Sequence, residues 1–204
     1  MSREKRFCIR SPQNFDLPGR RSFRPGCYPL AARSKAISIV GLAGSGKTEL
    51  ICRLLNWLAP QGLRVAVLKH THHPAPGDRG KDTWRFRQAG ARVVALAAPG
   101  LLQISHSFPA EPALSEILAA LSPEVDLILV EGYKAGPLPK IAVLNPALEE
   151  RLPELSQVIA LVGPAPPVAA VPVFPPEEVA AIGAFILAHL GLSVPGAGSP
   201  SSES

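Results

Sequence analysis

The chain has 204 residues, of which 47% are hydrophobic and 18% are charged, so it can bury the core of one globular domain. Its formal net charge is +5 at pH 7, but residues 1–35 contain nine Lys or Arg and two Asp or Glu, which leaves about −2 for the rest. Because a nucleic-acid-binding face needs clustered Lys and Arg on the folded part, the composition argues against nucleic acid as a partner.

Both ends of the chain have compositions typical of disordered segments. Residues 1–35 are rich in Arg, Pro, Gly and Ser, and residues 194–204 are rich in Gly, Ser and Pro. We expect a basic disordered leader, one domain at residues 36–193 and a disordered tail. The leader lacks the apolar core of a secretory signal, and no apolar stretch approaches about 18 residues, so we expect a cytoplasmic protein without a membrane partner.

Apolar runs and helical patterns alternate from residue 36 onward. Seven largely apolar runs predict strands, namely AISIV (36–40), RVAVLK (64–69), RVVALA (92–97), LLQIS (101–105), VDLILVEG (125–132), KIAVL (140–144) and VIALVG (158–163). Four segments predict helices, namely 47–59, 80–91, 112–121 and 175–191. We expect Cys52 on a buried helix face and Gly90 as the left-handed residue that ends the second helix. The alternation indicates an α/β fold with a doubly wound, mostly parallel sheet and helices on both faces.

One glycine-rich segment, GLAGSGKTEL at 41–50, lies between the first predicted strand and helix. It fits the pattern G-x-x-x-x-G-K-[ST], in which backbone N–H groups converge on phosphates and a helix N-terminus faces the anion. The lysine reaches the β- and γ-phosphates, and the threonine hydroxyl binds Mg²⁺. The segment therefore predicts a P-loop NTPase domain that binds a nucleoside triphosphate. The predicted nucleotide-binding residues are Gly41, Gly44, Ser45, Gly46, Lys47, Thr48 and Glu49.

Two acids lie near the ends of the predicted strand VDLILVEG. Ligands of parallel sheets bind at the carboxyl ends of the strands, where Glu131 stands. Asp126 precedes it by five residues, or about 16 Å at about 3.3 Å per residue, so the two acids cannot both reach the nucleotide. We predict that Glu131 helps Thr48 to hold Mg²⁺ or orients the attacking water, which makes it the candidate catalytic residue.

A second polar segment, VLKHTHHPAPGDRGKDTW at 67–84, leaves the second predicted strand at the same edge. Its histidines and carboxylates suit a Zn²⁺ or Ni²⁺ site, although no fourth ligand is evident. The alternatives are a ligand or switch loop that binds a phosphorylated molecule, which we favour, and an ordinary solvated loop. The residues concerned are Lys69, His70, His72, His73, Asp78, Lys81 and Asp82.

Several of these segments occur together in one known family. The order and spacing of GLAGSGKTEL, VLKHTHH, GKDTWRFRQAGA and DLILVEGYK followed by PKIAVL resemble those of the molybdopterin-guanine dinucleotide biosynthesis adapter (MobB) proteins, over about residues 36–190. The resemblance implies a GTP-binding adapter for the nucleotidyltransferase that converts molybdopterin cofactor to its guanine dinucleotide form. It also implies a molybdopterin-type ligand, a homodimer and at most weak GTP hydrolysis.

The family's motifs fall on particular residues of this chain. Its phosphate loop matches Gly41, Gly44, Gly46, Lys47 and Thr48, its acid matches Glu131, and its second block matches His70, His72, His73, Lys81 and Asp82. The segment PAPGDR at 74–79 is shorter and less acidic than the family pattern. No N-K-x-D motif identifies the base, for which LNPA (144–147) and LVGPAP (161–166) are candidate loops.

Two other functions stay open on the residues alone. A small-molecule kinase would activate an acceptor hydroxyl through Asp82 or Glu131 and would bring arginines over the phosphates. Its only clustered candidates are Arg79, Arg85 and Arg87, and they are weak, because Arg85 and Arg87 lie two positions apart on a predicted helix and cannot share a face. A metal-delivery GTPase would use the histidine-bearing loop, but it would lack a cysteine pair.

Overall fold

The structure, a computed structural model, describes residues 35–71, 78–145, 155–164 and 169–194. The strands in these ranges are β1 (Ala36–Val40), β2 (Val65–Lys69), β3 (Val93–Ala98), β4 (Leu101–His106), β5 (Leu127–Glu131), β6 (Lys140–Val143), β7 (Val158–Val162) and β8 (Val173–Phe174). The α-helices are α1 (Lys47–Leu58), α2 (Asp82–Gln88), α3 (Leu114–Leu121) and α4 (Val179–Leu190). Short 3₁₀ turns follow α1 at Ala59–Gln61 and α3 at Ser122–Glu124.

Six strands form one sheet in the order β2-β5-β1-β6-β7-β8, and each neighbouring pair is parallel. All residues of β1 and β5 are buried, as expected for strands that are covered on both faces. On one face, Ile37 packs with Leu54 of α1 and Ile186 of α4. On the other face, Ile128 packs with Leu118 of α3. The predicted doubly wound α/β fold is therefore confirmed.

Helices α1 and α4 approach each other closely because one of them carries a glycine at the contact. Gly183 of α4 is buried, and a Cβ atom built on it would overlap the indole ring of Trp57. A residue with any side chain at position 183 would have to displace that ring or separate the helices. The glycine thus fixes the spacing of the helix layer that covers this face of the sheet.

Strands β3 and β4 do not join the main sheet, although their sequences are as apolar as those that do. They pair with each other in antiparallel register across a two-residue turn at Pro99 and Gly100, and the φ of this glycine is +74°. Only Val94 of these two strands is buried, and β3 lies beside α2. Apolar side chains alone could not distinguish this exposed hairpin from a covered strand of the sheet.

The observed helices are shorter than the predicted ones, and one side chain lies differently. Helix α2 begins at Asp82 and α4 begins at Val179, a few residues after the predicted starts. Gly90 has a φ of +104°, as predicted for the end of α2. Cys52 is exposed, so the prediction of a buried position was wrong, because it lies one residue beyond Ile51 at the edge of the buried stripe. Among the described ranges, no helix has the length and apolarity needed to cross a bilayer.

Candidate functional site

The glycine-rich segment forms the turn between β1 and α1. Gly44 and Gly46 adopt φ values of +74° and +89°, a left-handed conformation that side chains disfavour. A Cβ atom on Gly41 would lie 2.5 Å from Ser45 Oγ and 2.9 Å from the Val143 carbonyl oxygen. The turn therefore keeps its shape only with glycine at these positions.

The amide groups at the start of α1 are available for a ligand. The Leu50 N–H donates to the Gly46 carbonyl, and the three preceding helical N–H groups have no acceptor within the helix. No side chain caps this end of α1, and Ser45 Oγ is buried without a hydrogen-bond partner among the described residues. Glu49 lies exposed in the first turn. An open set of N–H donors with a buried, unpaired hydroxyl fits a bound polyphosphate.

Lys47 lies across this turn. Its ammonium donates to the Leu42 carbonyl at 2.6 Å, so the side chain folds back over the loop. Burial lowers the pKa of Lys47, and nearby Lys134 and Lys69 act in the same direction, whereas Glu131 raises it. Three ammonium groups and one carboxylate thus act on each other at this edge, a net positive charge that suits phosphate.

Glu131 is the residue that connects the turn to the neighbouring strands. It lies at the carboxyl end of β5, is 8% exposed, and accepts a hydrogen bond at Oε2 from the Thr48 hydroxyl at 3.0 Å. Its Oε1 atom lies 3.0 Å from the Lys69 ammonium. A threonine hydroxyl beside a carboxylate is a pair of oxygen ligands that suits Mg²⁺.

Asp126 stands at the opposite end of β5, as expected from its spacing. Its carboxylate accepts hydrogen bonds from the Arg64 guanidinium and from the Arg64 backbone N–H. These bonds lower the pKa of Asp126. Asp126 therefore joins the amino-terminal ends of β2 and β5 and does not face the glycine-rich turn.

His70 begins a cluster that sequence reasoning did not find. Its backbone N–H donates to the Glu131 carbonyl, its Nε2 atom lies 2.9 Å from Glu111 Oε1, and its ring stacks on Tyr133 at a centroid distance of 4.1 Å. The Tyr133 hydroxyl also donates to Glu111 Oε1, at 3.2 Å. Burial raises the pKa of Tyr133. Glu111 is far from both partners in the chain and has no motif around it, so no local signal could have identified it.

Gly132 allows this cluster to lie against Glu131. Its φ is +108°, and a Cβ atom on it would lie 3.3 Å from His70 Cβ. After it, Tyr133 also adopts a positive φ, of +52°. The buried Lys140 ammonium then holds the following loop through the carbonyls of Gly136 and Leu138, at 2.7 and 3.1 Å.

The remaining residues of the predicted ligand loop pair mainly within their own segment. The Asp78 carboxylate accepts a hydrogen bond from the Arg87 guanidinium, which lowers the pKa of Asp78. Lys81 precedes α2, and Asp82 begins it, exposed and 3.6 Å from the Arg85 guanidinium. His72 and His73 lie outside the described residues. Within the described part of the chain, no group of three or more His, Cys, Asp or Glu is placed to hold a metal ion.

Comparisons with known proteins agree with the sequence resemblance. Residues 36–164 match the MobB family, described as molybdopterin guanine dinucleotide synthesis protein B. The chain is 36% identical over 128 residues to the molybdopterin-guanine dinucleotide biosynthesis adapter protein of Haemophilus influenzae, an alignment that covers 62% of this chain and 72% of that protein. It is 35% identical over 130 residues to a probable protein of the same name from Bacillus subtilis, with coverages of 62% and 74%.

The comparison of structures indicates the same family. The structure is similar to a crystal structure of molybdopterin-guanine biosynthesis protein B, with a TM-score of 0.64 and 30% identity. That similarity covers 76% of this chain and 99% of the other. The sequence match covers more than half of the chain and includes both the glycine-rich turn and Glu131. The chain belongs to the MobB family.

Proposed function

We propose that this chain is a GTP-binding adapter in molybdenum cofactor biosynthesis. Membership of the MobB family supports a role in molybdopterin guanine dinucleotide biosynthesis. The finer proposal is that the chain binds GTP with Mg²⁺ and assists the nucleotidyltransferase that forms the dinucleotide. The observation that carries it is the hydrogen bond from Thr48 to Glu131, because it brings two Mg²⁺-type oxygen ligands to the edge of the phosphate-binding turn.

Each residue of the turn has a defined part in this proposal. The N–H groups from Gly44 to Glu49 hold the phosphates, and Lys47 exchanges the Leu42 carbonyl for phosphate oxygens. Thr48 and Glu131 hold Mg²⁺, which neutralises charge on the phosphate oxygens when it is bound. These roles require no movement of the main sheet, since β1 and β5 are already neighbours.

The surroundings of Glu131 favour an adapter over a fast enzyme. Both of its carboxylate oxygens are engaged, one by Thr48 and the other by Lys69. A carboxylate in this position must release a partner before it can orient an attacking water. We therefore propose weak or partner-dependent GTP hydrolysis, with Glu131 as the residue that would orient the water.

A second ligand, or the transferase, would bind at the edge of the sheet beside Glu131. Lys69 and His70 lie beside the phosphate-binding turn, where they would contact a phosphorylated molybdopterin-type ligand or the transferase. A kinase would need free arginines over the phosphates. Arg85 and Arg87 are instead directed to Asp82 and Asp78 of their own segment, which weakens the kinase alternative.

We also propose that the chain forms a homodimer through the β3–β4 hairpin. The register places the side chains of Val93, Leu102 and Ile104 on one face of the hairpin, and they are 51%, 63% and 52% exposed. An apolar face of this kind on a two-stranded sheet is marginal in water and favours burial against another surface. A second copy supplies an identical apolar face, as a two-fold symmetric contact requires.

The central experiment is a calorimetric titration of the chain with GTP, ATP and molybdopterin, each with and without Mg²⁺. The Lys47→Ala variant should bind GTP about 10- to 150-fold more weakly, the loss expected for a charged hydrogen bond. Lys35→Ala is the matched control, because Lys35 lies at the other end of β1 and bonds to the Gly191 carbonyl. GTP affinity that is equal in the two variants would refute the proposed site.

A further inference from the structure

Glu111 contacts the chain on both sides of Glu131, although it belongs to neither of the strands that meet there. It lies in the segment that leads from β4 to α3, and the start of α3 is fixed by the bond from the Ala113 N–H to Glu116 Oε2. Resting on the proposed GTP site, we propose that Glu111 is a positioning residue for the Mg²⁺ ligand Glu131. It holds the end of β2 and the turn after β5 in the arrangement that directs Glu131 toward Thr48.

A single carboxylate oxygen of Glu111 makes both contacts. Its Oε1 atom lies 2.9 Å from His70 Nε2 and accepts a hydrogen bond from the Tyr133 hydroxyl at 3.2 Å. The two rings stack on each other, so the three side chains form a closed arrangement. An isolated exposed ion pair contributes little to stability. Here, however, the His70 side chain is only 15% exposed, and two donors that share one oxygen beside stacked rings restrict all three groups.

Both partners of Glu111 are connected to Glu131 through the backbone. The His70 N–H donates to the Glu131 carbonyl at 2.9 Å. The preceding residue, Lys69, lies opposite Glu131 in the parallel register, and its ammonium lies 3.0 Å from Glu131 Oε1. On the other side, Tyr133 follows Glu131 by two residues. A displacement of either ring therefore acts on the backbone that carries the Glu131 carboxylate.

The turn after β5 has a backbone shape that needs such support. Gly132 has a φ of +108° and Tyr133 a φ of +52°, so two successive residues lie in a region that side chains disfavour. A tyrosine remains in this conformation only when the surrounding contacts hold it there. His70 packs on one side of the turn, because a Cβ atom on Gly132 would lie 3.3 Å from His70 Cβ. Glu111 supplies the hydrogen bond at the far end of the tyrosine ring.

The rest of the same loop is held independently of Glu111. The buried Lys140 ammonium donates to the carbonyls of Gly136 and Leu138. Loss of the Glu111 side chain should therefore loosen the part of the loop next to Glu131 and leave its remainder in place. This separation makes the role of Glu111 measurable without unfolding the protein.

The test measures GTP binding by the Glu111→Ala variant of the full chain in titration calorimetry, with and without Mg²⁺. Affinity with Mg²⁺ should fall about tenfold, as for other residues that orient a metal ligand, and affinity without Mg²⁺ should stay unchanged. Glu111→Gln keeps an oxygen acceptor for both donors, so its affinity should stay within about twofold of the unaltered chain. Glu124→Ala is the control for charge, because Glu124 is an exposed acid in the turn after α3. Equal losses with and without Mg²⁺, or no loss in Glu111→Ala, would overturn the inference.

A measurement without nucleotide separates this inference from the proposed function. The His70 N–H, which donates to the Glu131 carbonyl, should exchange with solvent about fivefold faster in Glu111→Ala than in the unaltered chain. Its exchange rate in Glu111→Gln should stay unchanged. Equal exchange in all three proteins would refute the role of Glu111 alone, whereas an unaltered chain that does not bind GTP would refute the proposed function itself.

Discussion

The Thr48 hydroxyl donates a hydrogen bond to the Glu131 carboxylate over 3.0 Å, although 83 positions separate the two residues in the chain. The parallel pairing of β1 with β5 brings them together, because it aligns the start of α1 with the end of β5. In the proposed function this pair holds Mg²⁺. We expect Thr48→Ala to weaken GTP binding about 10- to 100-fold in the presence of Mg²⁺ and to have little effect without it.

The controls for this prediction use conservative changes at the same positions. Thr48→Ser keeps the hydroxyl and should retain most of the Mg²⁺-dependent affinity. Glu131→Gln keeps the size of the side chain but removes its charge, so it should resemble Thr48→Ala in calorimetric titrations. If Thr48→Ala reduced affinity equally with and without Mg²⁺, the pair would not be a metal site.

The second prediction concerns the charge of Lys47. Burial lowers the pKa of this lysine from the usual 10.5, while Glu131 raises it. Glu131→Gln removes the favourable charge, so the pKa of Lys47 should fall further and its ammonium should deprotonate at a lower pH. Heteronuclear NMR of the lysine ζ-nitrogen, recorded against pH on the nucleotide-free protein, measures this directly. A rise of the Lys47 pKa in Glu131→Gln would show that the two groups do not interact as described.

The third prediction tests the contact between α1 and α4. Gly183→Ala places a methyl group against the Trp57 ring and should lower the free energy of unfolding by about 1–3 kcal/mol. Chemical denaturation measures the change. Trp57→Leu, combined with Gly183→Ala, should recover part of the loss, because the smaller side chain leaves room for the methyl group. Strictly additive effects of the two substitutions would exclude a direct clash.

The fourth prediction addresses the proposed homodimer. Leu102→Glu puts a charge on the apolar face of the β3–β4 hairpin and should shift the chain toward monomers in sedimentation velocity. Gln103→Glu adds the same charge to the opposite face of the same strand and should leave the association unchanged. A monomeric unaltered chain, or equal effects of both substitutions, would remove the hairpin from the proposed interface.

The sequence predicted the parts of the site that follow from local chemistry. The glycine-rich turn between β1 and α1 matches a motif in which each residue type has a specific role toward phosphate. The position of Glu131 at the end of β5 follows from the regular rise per residue along a strand. The placement of Asp126 away from the turn follows from the same rise. These predictions depend only on local sequence and on the rule that ligands bind at the carboxyl ends of parallel strands.

Other parts depended on contacts that no local pattern encodes. The meeting of Glu111 with His70 and Tyr133 depends on how the chain returns after β4. Asp78 is one of the acids predicted for the ligand loop, but its carboxylate pairs with Arg87 of the same segment. For the β3–β4 hairpin, the apolar pattern correctly predicts two strands, but it carries no information about which surface covers them.

That hairpin has a further consequence, because it lies on an excursion of the chain between β2 and β5. These two strands pair directly with each other, so none of the ladder bonds of the six-stranded sheet runs through residues 93–106. We therefore expect changes in this segment to leave the strand pairings beside the glycine-rich turn unaltered. In the proposed function, the contact that the hairpin makes with a partner can thus change without altering the proposed nucleotide site.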